Sequence, residues 1–556
     1  MQKDKHSLMP KKHQKELPLS EIIINDRPSN EKVEFDILFV GAGPASLGGA
    51  IKLAKLVKEE NQKTGGEIGD ISIGVLEKST EVGQHILSGA VIKPQSILKL
   101  FPEIPIEELP FSERIKQEKV YFLTKKRAWR IPIPPPMRNS GNYIASLSEI
   151  TKWMAKKAES LGIQIFTGFP VKGILVRDNN VIGVRTTETG LDREGKPMQN
   201  FQDGTDCTAK VVVLGEGSCG FLSQAYLQWQ KITSENPQIY SIGLKELWET
   251  KISLESIVHT MGWPLPPDVF GGSFMYPLEK NLIALGLVMG LDYKNASLDS
   301  HFLMQQMKTH PLFKSFLKNG QIVEWGAKTI PEGGYYSIPK RLSGDGLLLI
   351  GDSAGLVDVP SLKGIHYAIL SGIKAAKTIL EALKKKNFSA EILSDYDNSV
   401  KSSFIVKDLW RHRNMRLGFK DGLCKGAAKA AIMHVTNGRW PGKKISMSAD
   451  NEVTRNFDKP WNFQPDGKLT FKKADAVYRS GNATRDSIPS HLLIGEKIIP
   501  DVAEFYSKIC PAGVYEVVDG KLRVNPPNCI DCKATDILAG RWTPREAGSG
   551  PKYKRM

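Results

Sequence analysis

FDILFVGAGPASLGGAIKL, residues 35–53, decides how the rest of the chain is read. A short apolar, β-branched run leads into Gly41-Ala42-Gly43-Pro44-Ala45-Ser46, and a helical pattern follows. Strand, glycine turn and helix in that order form the opening βα unit of a dinucleotide-binding fold. Gly41 permits the tight turn, and Gly43 lets the backbone approach a pyrophosphate held at the helix N-terminus. Ser46 stands where a third small residue allows close helix–strand packing. The loop is therefore expected to bind a cofactor.

Downstream, Ile71–Leu76 reads as a second strand ending in Glu77, a carboxylate placed to accept hydrogen bonds from a ribose hydroxyl. Its distance from Gly41 is lengthened by a polar, glycine-containing insertion, Asn61–Asp70. Gly83–Ala90 is rich in small residues that let a flat ring lie against backbone; His85 within it is read as a polar loop residue with no acid–base duty. Residues 101–144 are proline-rich and read as an extended connection. Ser146 and Glu149 form a capping box opening a helix to about Leu161, followed by a strand at Ile163–Phe166. Val171–Thr186 reads as a hairpin turning at Asp178-Asn179-Asn180.

Lys210–Leu214 is a buried strand ending at Gly215-Glu216-Gly217, of a kind commonly found beneath flavin adenine dinucleotide (FAD). From about Phe221 to Gly334 strands and loops mix, including Gly271-Gly272-Ser273-Phe274 and the apolar run Leu282–Leu291, as in an inserted substrate domain. Leu347–Gly355 then repeats the opening logic, with Asp352 placed for a ribityl hydroxyl and a helix from about Gly364 to Lys384. Two strand–glycine–helix signals with Glu77 between them favour FAD over a nicotinamide site. With no second GxGxxG, electrons are expected from another protein or a reduced substrate.

The 556 residues suffice for two to four domains, and 41% hydrophobic with 24% charged residues is a globular composition. No apolar run is long enough to cross a membrane, so any membrane contact is expected to be peripheral. The formal charge is +16, and Lys401–Lys444 holds eleven Lys/Arg against Asp408 and Asp421. No nucleic-acid motif accompanies that charge, so an anionic lipid or acidic protein partner is favoured over nucleic acid. Residues 1–32 carry Lys3, Lys5, Lys11, Lys12 and Lys15 and read as a disordered basic tail with no secretory h-region. Six cysteines are too few for a disulfide scaffold; Cys510, Cys529 and Cys532 are spaced as metal or cluster ligands.

At this point the chain resembles one family, electron transfer flavoprotein–ubiquinone oxidoreductase, over roughly residues 33–556. The similar blocks include VLEKSTEVGQHILSGA (75–90), YSIGLKELWE (240–249), FGGSFMYPL (270–278), PEGGYYSIPK (331–340), PSLKGIHYAILSG (360–372), CPAGVYE (510–516) and NCIDCKATDI (528–537). The resemblance implies an α/β, α+β overall, architecture. A glutathione-reductase-like FAD-binding domain (33–100, 145–220 and 336–410) carries an inserted quinone-binding domain (101–144 and 221–335). A basic membrane-surface segment (411–455) and a ferredoxin-like iron–sulfur domain (456–556) follow. It implies electrons passing from reduced electron transfer flavoprotein to ubiquinone with FAD and a [4Fe–4S] cluster.

The cofactor contacts expected on this basis are Gly41, Gly43, Pro44, Ala45, Ser46, Glu77, Lys78, Ser88, Gly89, Gly217, Gly351, Asp352, Lys363 and Gly364, with the quinone near Gly271 and Gly272. A Gly-Gly pair can offer an unobstructed backbone N–H to a quinone carbonyl, or it can mark a β-bulge or turn. Peripheral contact is expected at the cytoplasmic face of a bacterial inner membrane or the matrix face of the mitochondrial one.

Two departures stand out. The family's cluster motif is Cys-Pro, then C-x2-C-x2-C; here Cys510-Pro511, Cys529 and Cys532 match, but the fourth position is Thr535. A hydroxyl is a poor substitute for a thiolate. A [3Fe–4S] cluster, a [4Fe–4S] cluster with oxygen ligation by Asp531 or Asp536, recruitment of Cys424, and no cluster all stay open. The second departure is Leu417–Trp440, lysine-rich where the family is strongly apolar, which predicts a shallow, electrostatically assisted contact with anionic lipid. Rival readings are a soluble FAD-dependent reductase or monooxygenase, and a cluster-less membrane-surface electron carrier without turnover.

Overall fold

The computed structural model describes residues 7–29, 31–458, 463–495 and 498–556. Its first sheet is built on Val33–Val40, whose second half is buried on both faces and correspondingly all apolar. Parallel strands flank it: Gln164–Thr167 and Ile73–Glu77 on one side, Asp206–Leu214 and then Leu347–Leu349 on the other. Because Val40, Glu77, Leu214 and Leu349 all lie at C-terminal strand ends, the loops following them converge on one edge. In α/β sheets ligands bind along that edge.

Asp206–Leu214 is long enough to take a second partner at its other end, the antiparallel hairpin Val171–Arg177 and Asn180–Thr186. Its turn at Asp178 and Asn179 is left-handed (φ 49° and 64°), a conformation that suits these residue types. Helices Pro44–Thr64, Leu147–Glu159 and Ile365–Lys385 cover the sheet. The second starts where its capping residue Ser146 accepts a hydrogen bond from Glu149 N, at 3.3 Å.

A second sheet of seven strands runs in the order Gln321–Pro331, Tyr240–Glu249, Leu282–Gly290, Gly271–Glu279, Ile257–Gly262, Glu118–Leu123 and Ala128–Ile131. The proline-rich stretch 101–144 thus contributes a hairpin to this sheet and is more than a connection. The region read as strands and loops from Phe221 opens instead with a helix, Phe221–Trp229, and its strands begin at Tyr240.

The amino-terminal segment corrects another expectation. From Ser7 onward the tail is built into the fold: Ser7–Leu8 pairs with Arg455–Asn456, and Ile23–Ile24 adds a parallel strand beside Val171–Arg177. Its lysines hid a set of apolar anchors, Leu8, Leu17, Ile22 and Ile24, all of which are buried. Lys3 and Lys5 lie outside the described residues.

The C-terminal unit combines helices Lys473–Arg479, Pro500–Ile509 and Ala534–Leu538 with the hairpin Tyr515–Val518 and Lys521–Val524. Helix Leu423–Val435 lies on the surface with only Gly426 and Met433 buried.

Candidate functional site

A cavity of about 810 Å3 lies along the C-terminal edge of the first sheet and extends between it and the second. That is toward the upper end of the usual small-molecule range of about 300–1,000 Å3. Of the expected cofactor contacts, Gly41, Gly43, Pro44, Ala45, Glu77, Lys78, Ser88, Gly89, Gly217, Asp352, Lys363 and Gly364 line it. Ser46 and Gly351 do not. Ser46 is fully buried against Gly215, serving helix–strand packing, and Gly351 packs under the wall against Ala45.

Glu77 is held in place by the loop it serves: Ala42 N donates to Oε2 at 2.9 Å, and Ser79 N and Oγ donate to Oε1 at 3.0 and 2.9 Å. Across the cavity, burial alone pushes the Asp352 carboxyl up to about 6. Together with the glycine-lined floor, these carboxylates facing an open volume fit the hydroxyl-rich arms of FAD.

Gly271 and Gly272 line the same cavity. A Cβ at Gly271 would stand 2.1 Å from Val288 O, and one at Gly272 2.3 Å from Thr260 O. Close strand packing therefore already requires glycine at both positions.

Other groups at the cavity were not singled out from the sequence. Lys245 and Lys328 line it, and burial pushes both ammonium groups down to about 8, as it does Lys363. Lys245 Nζ is buried without a hydrogen-bond partner. Each lysine stands in a strand that also carries acidic residues, Glu246 and Glu249 in one and Glu324 in the other, so nothing in the sequence marked it as a cavity group. His259 and Tyr276 also line the cavity, with Tyr276 Oη 2.6 Å from His259 Nε2; burial drives His259 down to about 3, so it is neutral.

At one end the wall changes hands, and Lys533 and Trp542 of the C-terminal unit line the cavity. Behind them lie Cys510, Cys529 and Cys532, all buried. Burial pushes the three thiols up, Cys529 to about 12; Cys510 raises Cys529, and both raise Cys532, so the sulfurs are close neighbours. The Tyr515 and Tyr553 hydroxyls are buried without partners near these sulfurs, and burial pushes both hydroxyls well up. Three converging thiols ringed by unused donors fit an iron–sulfur cluster, whose sulfurs accept such hydrogen bonds. Thr535 is buried beside Tyr515.

The unit is fastened to the flavin side through Asp531, between the two closely spaced cysteines. Its carboxylate accepts from Lys78 Nζ at 2.8 Å, Arg545 Nη2 at 2.8 Å and Trp542 Nε1 at 3.1 Å. Burial would raise this carboxyl, but Arg545, Lys78 and their neighbours hold it well below the usual range. Lys328 Nζ donates to Asp531 O at 3.0 Å, and Thr329 N to Cys532 O at 3.0 Å. His85 proves to be buried, 3.8 Å from Asp531, and burial and Lys78 keep its pKa well below the ordinary value.

At the other end, Leu423, Ala427, Ala430, Ala431, His434 and Val435 of the surface helix form the mouth. Val435 is 84% and Trp440 51% exposed.

Comparison with known proteins bears on the second sheet and on the C-terminal unit. Residues 240–330 match the family model described as ETF-QO, ubiquinone-binding. Residues 467–554 match the one described as electron transfer flavoprotein-ubiquinone oxidoreductase, 4Fe-4S. The mitochondrial electron transfer flavoprotein-ubiquinone oxidoreductase of Arabidopsis thaliana is 37% identical, with 96% of this chain and 86% of that protein covered. Its Homo sapiens counterpart is 35% identical (94% and 89%), and the Pseudomonas aeruginosa protein of the same name is 35% identical (95% and 100%). Among solved structures, a geranylgeranyl bacteriochlorophyll reductase-like protein from Thermoplasma acidophilum superposes with a TM-score of 0.56 at 18% identity, covering 73% of this chain and 92% of that one. A myxobacterial chondrochloren halogenase, a variant of FAD-dependent halogenases, gives 0.51 at 16% identity (76% and 95%). These two are likenesses of fold.

Proposed function

The chain belongs to the electron transfer flavoprotein–ubiquinone oxidoreductase family, and from that premise we propose that it carries electrons from reduced electron transfer flavoprotein to ubiquinone. The observation that carries this reading is the continuity of the site. One cavity joins a dinucleotide loop at Gly41–Ala45, a wall supplied by the cysteine-bearing unit, and a mouth at an amphipathic surface helix. An enzyme that only had to reduce a soluble substrate would need neither end.

Bound FAD and an iron–sulfur cluster supply the electron chemistry, while the protein sets distance, orientation and surroundings. Gly41, Gly43 and the helix beginning at Pro44 are positioned to cradle the pyrophosphate, Glu77 to take the ribose, and Asp352 to take the ribityl chain. Cys510, Cys529 and Cys532 hold the cluster. Lys245, Lys328 and Lys363 set positive charge along the cavity, which favours added negative charge there. His259, neutral and hydrogen-bonded to Tyr276, lies on the same wall as Gly271 and Gly272, where the quinone head group is assigned. No general acid or base is named for the electron transfer itself.

Membrane contact is proposed to be peripheral. Among the described residues no helix is long and apolar enough to cross a membrane. Exposed Lys425 with exposed Ile432, Val435 and Trp440 around the mouth supports docking on anionic lipid, from which a quinone can enter. The relatives named above are mitochondrial or bacterial, which supports association with an inner membrane, and the matrix or cytoplasmic face is the proposed side.

The test is steady-state reduction of a short-chain ubiquinone by purified holoprotein. Turnover with reduced electron transfer flavoprotein and none with NADH or NADPH is expected. Turnover with a nicotinamide and no response to electron transfer flavoprotein would overturn the reading in favour of a soluble reductase. Bound flavin without quinone reduction would favour an electron carrier.

A further inference from the structure

A cubane cluster presents four iron corners, and the described residues supply three thiolates. We propose that the iron–sulfur centre of this chain is site-differentiated: Cys510, Cys529 and Cys532 would hold three irons, and a fourth iron, with Thr535 at the spacing where a fourth thiolate would stand, would be exchangeable. The inference rests on the reading that this unit binds a cluster, and it goes beyond the four-iron description of the matching family model.

Two of the alternatives left open by the sequence, recruitment of Cys424 and oxygen ligation, are disfavoured by the structure, and so are the other buried cysteines. Cys424 is exposed on the surface helix at the cavity mouth, far along the fold from the buried triad. Cys207 lies within the central strand Asp206–Leu214. Cys219 donates to Asp536 Oδ2 at 3.2 Å and accepts from Gln224 Nε2 at 3.2 Å, so it has its own partners.

Oxygen ligands fare no better. Both oxygens of Asp531 are taken, Oδ2 by Lys78 and Oδ1 by Arg545 and Trp542, and releasing them would strand two buried or half-buried cations. Asp536 is equally committed, with Oδ1 accepting from Trp542 N at 2.9 Å and Oδ2 from Cys219 and Gln224.

His491 needs more care. It is buried, both ring nitrogens lack partners, and a ring nitrogen lies within 4.8 Å of the Cys529 sulfur and the Asp531 carboxylate. A nitrogen at that distance can donate an N–H toward the Cys529 sulfur or bind iron itself, and the His491→Ala variant below separates the two. Thr535 remains at the spacing where a fourth thiolate would stand, on the short helix Ala534–Leu538. Its neutral hydroxyl binds iron weakly beside soft thiolates.

The consequence is a defined reaction. On meeting a one-electron oxidant, a [4Fe–4S]2+ core gives up one electron and one Fe2+ ion, leaving [3Fe–4S]+; added ferrous ion and a reductant reverse it. A cluster held by four thiolates resists this loss.

The experiment uses full-length holoprotein reconstituted anaerobically with iron and sulfide. It is treated with ferricyanide, followed by iron and sulfide analysis and low-temperature EPR. Wild type is expected to release about one iron in four and to show the paramagnetic signal of an oxidised [3Fe–4S] centre, which an oxidised [4Fe–4S] centre lacks. Ferrous ion with dithionite should then restore the original iron content. Thr535→Cys should keep all its iron under the same treatment and stay EPR-silent when oxidised.

Wild type that keeps its full iron content overturns the inference, and this arm does not depend on the variant folding. If wild type is inert and His491→Ala alone becomes labile, the imidazole is the fourth ligand and the inference is wrong. A protein that takes up no iron overturns the cluster reading itself, an outcome distinct from four inert irons.

Discussion

Gly41→Ala tests the nucleotide loop most directly, because the structure supplies two separate costs. Gly41 has φ +92°, where an L side chain is strained by about 1–3 kcal/mol. Its new Cβ would also stand 2.8 Å from Gly215 O and 3.3 Å from the carbonyl carbon behind it. Neither side can yield easily. Gly41 N donates to Leu76 O at 2.7 Å and Gly215 N to Val40 O at 3.0 Å, so both backbones are tied into the sheet. Overpacking of this kind costs about 1–3 kcal/mol. With a floor of about 2 kcal/mol appearing as displacement of the loop, FAD affinity should fall about 30-fold or more.

Gly217→Ala is the matched comparison. Its φ is +78°, but nothing lies within 4 Å of the added Cβ. The FAD-free protein should therefore lose only the backbone strain, about 1–3 kcal/mol. FAD binding should suffer in addition, since the new methyl enters the cavity. The assay is equilibrium titration of deflavinated protein with FAD by flavin fluorescence, paired with thermal unfolding of the FAD-free forms. Gly41→Ala protein that binds FAD within about threefold of wild type, a difference under 1 kcal/mol, would refute the assignment of this loop.

Asp531→Ala leaves Arg545, with a side chain only 3% exposed, beside Lys78 and without its anion. Breaking such a pair costs about 3–5 kcal/mol, and faster hydrogen exchange across residues 510–556 should report the undocking. Because Asp531 titrates well below the ordinary carboxylate range, its stabilisation is complete above that range and is lost as pH falls toward its depressed value; the variant should lack that acid limb. Asp352→Asn should do the opposite. A carboxyl raised from 3.8 to about 6 by burial destabilises the FAD-free protein above that pH by at most about 3 kcal/mol. The variant should then melt higher than wild type at about pH 8, equal it at about pH 3, and bind FAD more weakly. At the mouth, binding to anionic liposomes should drop steeply between low and high salt and weaken further in Trp440→Ala; salt-insensitive binding, or none, counts against the lipid contact.

What could be read in the sequence was local. The glycine loop, each strand-ending carboxylate beside its own strand, and the Cys529–Cys532 spacing are set by a few neighbouring residues, so periodicity and spacing exposed them. What stayed hidden was assembled across long separations. Lys78 meets Asp531 across 453 positions, and no pattern in either neighbourhood announces the pair. Lys245 and Lys328 become cavity groups only when two strands of the second sheet are laid against the first. Composition misled at the amino terminus, where Leu8, Leu17, Ile22 and Ile24 are spaced too widely among lysines to show a period yet are enough to bury the segment. At Gly271-Gly272 strand packing alone demands both glycines, so their presence does not by itself mark a quinone contact.

The sequence neighbours Glu77 and Lys78 draw the two halves of the site together. Glu77 closes the nucleotide loop through Ala42 N, and Lys78, the next residue, grips Asp531, which immediately precedes Cys532. The path from the dinucleotide loop to Cys532, proposed above as a cluster ligand, is therefore two covalent steps and two hydrogen bonds, with little freedom to stretch. Thr329 N holding Cys532 O from the second sheet fixes the same cysteine from another direction. A rigid seam suits electron transfer, which needs its two centres at constant separation and no moving part between them. It also explains why the cost of burying Asp531 is tolerated. An apolar contact of equal area could slide, whereas a carboxylate with three directional donors admits one register.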